Sequence, residues 1–196
     1  MNILLSNGLP EEYEGIPIST DFRNMIQVDL ILHDNDYTET EKTVAALTQL
    51  YPEIPQDIQK AIEGLEWFFL RGQKPPSGKK EVKSFDFEQD ANLIYAAFYA
   101  TYKISLTTIK FLHWWEFMAL FEALPEDTLI QKVIYWRTAD LSLMSKEERK
   151  YVLKMRKMFA LKHDEQKPID IAELNRRNKE RVAQRFAQAQ ANLEKS

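Results

Sequence analysis

The chain has 196 residues, 44% of them hydrophobic and 29% charged, with a net charge of −4, enough apolar material for one packed domain with an appendage and too much for wholesale disorder. Without a single cysteine, it has no disulfide, thiolate metal site, iron–sulfur cluster or cysteine nucleophile. Its five glycines never fall at GxGxxG or P-loop spacing, which excludes those backbone cradles for nucleotide phosphates.

The charge is unevenly placed. Residues 1–140 carry 22 acidic and 12 basic side chains, and residues 141–196 carry 8 and 14. A basic quarter on an acidic body suits an acidic partner, the body itself, or nucleic acid. The glutamates interleaved through it count against nucleic acid. The opening Met-Asn-Ile-Leu-Leu-Ser-Asn-Gly lacks the basic stretch of a signal peptide, and no apolar window is long enough to span a membrane. The expected compartment is the cytoplasm.

In chain order, residues 2–19 read as a small β element. Ile3-Leu4-Leu5 is one candidate strand and Gly15-Ile16-Pro17-Ile18 the other, with Pro17 suited to an edge. Phe22, Met25, Ile26 and Leu30 then form a helical stripe with Ser19 or Thr20 available as cap. The polar turn His33-Asp34-Asn35-Asp36 ends it. Thr38 and Glu41 make a capping box for a helix carrying Val44, Leu47 and Leu50, which stops at Tyr51-Pro52. Pro55 suits the first turn of the next helix, whose stripe is Ile58, Ile62, Leu65 and Phe69. Residues 71–84, rich in Pro, Gly and Lys, read as a linker between a region 1–70 and a region 85–161.

Beyond the linker, Ser84 or Asp86 is placed to cap a helix around Ala91–Tyr99, apolar on nearly every side and so expected to lie against protein all round. Phe111 to Leu124 reads as a second helix with Phe111, Trp114, Trp115, Met118 and Phe121 on one face. Pro125-Glu126-Asp127 opens a third, lined by Leu129, Ile130, Val133, Ile134 and Arg137. A second capping box, Ser145 with Glu148, starts a helix whose inner stripe is Tyr151, Val152, Met155, Met158 and Phe159. Its water side holds Lys146, Arg149, Lys150, Arg156 and Lys157. Residues 162–196 read as a basic C-terminal helix or arm: after the break at Lys167-Pro168, Asp170 and Glu173 cap an amphipathic helix with a thin stripe that includes Val182 and Phe186. The fold class is therefore mainly α: a compact helical domain with a small N-terminal β element and a basic C-terminal helix.

Catalytic chemistry finds little support. His33, Asp34 and Asp36 fail the calcium-loop template, since Glu39 stands where it needs glycine and Ala45 where it needs glutamate. A turn feeding the Thr38 cap explains them. His113 and Glu116 lie three apart on one helix, yet no third residue orients them and no serine sits in a nucleophile setting. No enzyme activity, cofactor or metal is expected. The dense aromatic block from Phe85 to Phe121 has two readings. Core packing is the ordinary one for aromatics at helical spacing; a protein-binding groove, where Trp and Tyr are enriched, is the other. Base stacking would need basic residues among the rings, and only Lys103 and Lys110 are there.

Residues 84–161 resemble the bacteriophage "gene product fifteen" family of long-tailed phages and prophages of Gram-positive bacteria. Phe85-Asp86-Phe87 with Asp90, Ile94-Tyr95-Ala96-Ala97-Phe98, Leu112-His113-Trp114-Trp115 with Phe117 and Phe121, Glu126-Asp127-Thr128, Tyr135 with Arg137, and Lys146-Glu147 carry the likeness. Gly8-Leu9-Pro10, Thr20-Asp21-Phe22-Arg23, Tyr51-Pro52 and Trp67-Phe68 extend it to about residue 1. Members of that family are encoded among tail genes, between the tail tube and the tape measure. The resemblance implies a tail-assembly chaperone with no enzymatic activity, working in the cytoplasm of the bacterial host on tape-measure or tail-tube protein; the alternatives are a structural tail component or a nucleic-acid binder acting through the basic region. A homo-oligomer is a further expected partner. Candidate partner-binding residues are Phe85, Phe87, His113, Trp114, Trp115, Phe117, Phe121, Arg137, Val182 and Phe186.

Overall fold

The computed structural model describes residues 8–74 and 83–162. Its elements are β1 (Glu12–Tyr13), β2 (Ile16–Pro17), α1 (Phe22–His33), α2 (Glu39–Leu50), α3 (Ile58–Phe69), α4 (Ala91–Tyr102), α5 (Trp114–Glu122), α6 (Leu129–Thr138) and α7 (Lys146–Met158), with a short 3-10 turn at Leu141–Leu143 before α7. The protein is mainly α, as expected. All of these elements belong to one compact unit, Met1–Leu161. The expected strand Ile3–Leu5, the middle of the linker, and the C-terminal helix with Val182 and Phe186 lie outside the described residues.

Ile16–Pro17 does form a strand, antiparallel to Glu12–Tyr13. Glu14 (φ 49°) and Gly15 (φ 80°) make the loop, and two successive positive φ values give the turn whose twist matches a tight hairpin. Pro17 faces Glu12 across the pair without hydrogen bonds, where its missing N–H costs nothing; the next pair closes through Ile18 N–H donating to Glu11 O at 3.0 Å.

Local capping decides several helix starts. Both expected capping boxes form, Thr38 with Glu41 on α2 and Ser145 with Glu148 on α7, and α2 stops at Tyr51. The cap of α1 is Asp21 and not Ser19 or Thr20, because the Thr20 carbonyl is engaged by the Trp114 amide at 2.8 Å and Asp21 accepts from Arg23 N–H at 2.9 Å. Arg23 then reaches Leu106 O and Ile109 O, fixing the loop before α5. Helix α3 starts three residues later than Pro55 suggests, capped by Asp57. Pro125–Asp127 forms a turn and α6 begins only at Leu129, behind Thr128.

Two further boundaries differ from the sequence reading. Phe111 precedes α5 and is exposed. The helix begins behind His113 because Asp21 and His113 pair as an isolated antiparallel bridge that holds the backbone extended there. Asp86 does not cap α4; it caps the turn ahead of it, accepting from the amides of Glu88 (2.9 Å) and Gln89 (2.7 Å). Nor is α4 enclosed on every side, since Tyr95 and Tyr99 stack at 6.2 Å with Tyr99 exposed. Val44 on α2 likewise faces water while Ala46, Leu47 and Leu50 turn inward.

The core is built from both sides of the linker. One cluster runs from Ile18 and Phe22 through Leu47, Phe68 and Phe98 to Phe117 and Ile130. A smaller one, Val133, Trp136 and Val152 with Met155 and Phe159 against it, seats α7 on α6. Leu93 packs against both. Gly64 is required by a close approach: the Tyr51 phenol and the Tyr13 ring occupy the space a Cβ would take, and Tyr51 Oη donates to Ala61 O at 3.1 Å beside it. Burial raises the Tyr51 pKa to about 12.

Candidate functional site

The tandem tryptophans are end-pieces for another helix. The last carbonyls of a helix have no partner within it. At the end of α3, Trp114 Nε1 donates to Phe69 O (3.1 Å) and Trp115 Nε1 to Phe68 O (2.9 Å). Adjacent indoles thus serve adjacent carbonyls, which fixes the angle between α3 and α5. His113, one residue earlier, caps α5. Its Nδ1 accepts from Trp115 N–H at 3.0 Å and its Nε2 lies 3.1 Å from Pro10 O, so the ring is neutral with the proton on Nε2. Burial lowers its pKa, outweighing the Pro10 carbonyl and the nearby Glu116 and Glu11. Phe117 is the hub of the rings, with Phe22 at 4.8 Å, Phe98 at 5.0 Å and Trp114 at 5.8 Å between centroids.

Arg137 forms a clamp of comparable reach. Its guanidinium grips Asp90 with two bonds (2.6 and 3.0 Å), and donates to Phe159 O (2.8 Å) and Ser84 O (3.2 Å). The two side chains are only 5% and 3% exposed. Asp90 Oδ2 also accepts from the Asp86 amide at 2.9 Å. One cation thereby ties α6 to the start of α4, to the strand of chain before it and to the residue following α7. Burial by itself would raise the Asp86 carboxyl; the Gln89 and Glu88 amides and the Lys83 ammonium at 2.8 Å prevail and hold it below its usual range.

The candidate partner-binding residues among the described ones therefore fall into the core and not onto a surface. Phe87, His113, Trp114, Trp115, Phe117, Phe121 and Arg137 are buried, and Phe85 is half-buried. The reason is that each ring or cation answers a need inside the fold: a helix end, a cap, a buried carboxylate, a stacked neighbour. Three of them keep a face toward an opening. Phe85, Phe87 and Trp114, with Phe69 and Met118, line a cleft of about 200 Å³ that also borders Asp29.

Asp29 is the unusual group of that cleft. Among the described residues its Oδ2 is the one buried side-chain oxygen or nitrogen without a hydrogen bond. The Lys83 ammonium is 3.9 Å away, and His33 Nδ1 approaches the other oxygen at 3.5 Å. Burial raises its pKa, and the attractions of His33 and Lys83 do not cancel that rise. Asp34 and Asp36 meet only in the expected turn, Asp34 Oδ1 accepting from the Asp36 amide at 2.8 Å. Among the described residues no group of three His, Asp or Glu could hold a metal ion, and no helix is long and apolar enough to cross a membrane.

The large apolar side chains that do face water lie elsewhere, at Tyr99, Phe111, Tyr135, Leu143, Tyr151 and Met158 among others. Leu143 is 91% exposed. Helical periodicity assigns Phe111, Tyr151 and Met158 to inner stripes; Phe111 and Leu143 each stand two residues ahead of a helix cap, His113 and Ser145, and so outside the α-helices.

Fold and site together define a small, mainly helical protein whose aromatic block packs its core. The chain belongs to the family described as Bacteriophage Gp15 protein, whose model matches residues 5–161. Comparison with curated proteins and with solved structures yields no match to either.

Proposed function

We propose that the protein is a phage tail-assembly chaperone. It binds tape-measure or tail-tube subunits reversibly and stoichiometrically in the host cytoplasm before the tail polymerises, with no enzymatic step and no cofactor. Membership of the phage family over residues 5–161, joined to the tail-gene position that the resemblance implies, carries this reading. The exposed Phe111, Tyr135, Leu143, Tyr151 and Met158 support it as apolar contacts for a helical client. They replace the buried aromatics as the residues to test.

The experiment is co-expression with the tape-measure and tail-tube proteins of its own phage. The expected result is tape-measure protein that becomes soluble and co-purifies only with this chain, in a complex weakened by deleting 168–196 or by placing serine at Leu143 and Met158. Purified phage particles are expected to lack the chain. Tape-measure and tube proteins that ignore it would overturn the proposal, and abundant chain in purified particles would make it a structural tail component instead.

A further inference from the structure

The water side of α7 carries both lysines and arginines. The structure separates its cations into two kinds. Arg149 curls back to Leu141 O with two bonds (3.1 and 2.7 Å), and Arg156 donates to Trp136 O (2.7 Å) and Ala139 O (2.6 Å). Both arginines thus fasten α7 to the end of α6 and the turn between them. Glu148 is spent in the capping box with Ser145. The lysines are left over. Lys146, Lys150, Lys154 and Lys157 recur every three or four residues, which places them on one side of the helix over about 16 Å. All four are exposed, and no ion pair among the described residues engages them. Leu153, also exposed, borders this row within a turn of Lys150 and Lys157, and Tyr151 and Met158 are exposed on its opposite flank.

We infer that this face of α7 docks an acidic amphipathic helix of a protein partner. Four exposed ammonium groups at helical spacing, with no ion pair among the described residues, match carboxylates at the same spacing on a facing helix. Leu153 supplies the apolar contact beside them, which a phosphate backbone has no use for. The arginines, whose planar forks read phosphates best, are turned inward. The acidic residues of 1–140, 22 against 12 basic, repel an extended polyanion beyond the reach of α7. The inference goes beyond the tail-assembly proposal and does not need it, since it is tested with no phage component present.

The test uses the full chain and three labelled probes in fluorescence anisotropy: a helical peptide with glutamates three and four residues apart around a leucine, the same peptide with glutamine at those positions, and a short DNA duplex. The glutamate peptide is expected to bind saturably, to weaken as salt rises, and to bind about tenfold tighter than the glutamine peptide or the duplex. The double charge reversal Lys150→Glu/Lys154→Glu is expected to cut that affinity about tenfold, as two close charge pairs become repulsive, with an unchanged thermal melt because both sites are exposed. Reversal at the exposed Lys110 is expected to leave binding as it was. No saturable binding of the glutamate peptide, indifference to the double reversal, or a duplex that binds as tightly would each overturn the inference.

Discussion

Replacing Arg137 with methionine puts the buried clamp to a quantitative test. Methionine keeps the length and apolar stem of the side chain and removes the guanidinium. Asp90, 3% exposed, then keeps only the Asp86 amide, and the carbonyls of Phe159 and Ser84 lose the donor that the structure gives them. Breaking a buried ion pair by removing one partner typically costs about 3–5 kcal/mol, because the surviving charge stays desolvated. Against a total stability of about 5–15 kcal/mol for a domain of this kind, that is a large fraction. The double variant Arg137→Met/Asp90→Asn removes the charge as well as its partner. It is expected to be more stable than the sum of the single losses by about 2 kcal/mol or more, since neighbours in one network are not additive. Urea denaturation followed by circular dichroism and by tryptophan fluorescence measures both, and Trp136, 5.4 Å from Phe159 between ring centroids, reports on the seat of α7. A single-variant cost below about 1 kcal/mol, the scale of an exposed pair, or strict additivity in the cycle, would refute the clamp as an energetic element.

The other expectations concern single positions. Gly64→Ala gains helix propensity of about 1 kcal/mol, yet it is expected to lower stability by about 1–3 kcal/mol through overpacking against Tyr51; a raised melting temperature would refute the close approach. His113 is neutral in the fold with a pKa below its ordinary value of 6.5. The stability it holds is therefore present above pH 6.5 and is lost as pH falls through the folded value. His113→Asn, which keeps a capping acceptor, is expected to flatten the melting temperature between pH 7 and 5, and an unchanged slope would count against the assigned role. Asp29 has the opposite sign: its folded pKa lies above 3.8, so its contribution is most favourable below that value and declines as pH rises through the folded one. Asp29→Asn is expected to raise stability at neutral pH by about 1 kcal/mol, the scale of one unsatisfied buried group. A lower melting temperature would show that Lys83 and His33 already compensate it.

What could be read from the chain alone was whatever a residue settles with neighbours three or four positions away. The boxes of Thr38 with Glu41 and Ser145 with Glu148 form where their spacing puts them, because a hydroxyl and a carboxylate at that distance satisfy each other's free amides in any surroundings. The mainly helical class follows from the same local periodicity. Side chains that reach across the fold were decided by tertiary structure. Asp90 and Arg137 both carry the family likeness, but 47 residues separate them, and only packing brings them into one clamp. The tandem tryptophans look like a recognition surface until the end of α3 supplies carbonyls for their indoles. Arg149 and Arg156 share a water side with the lysines on a helical wheel, but their long flexible stems let them turn back to the α6 end and the turn after it. Periodicity marks which face of a helix is apolar; what covers that face depends on the other helices, and no local spacing encodes it.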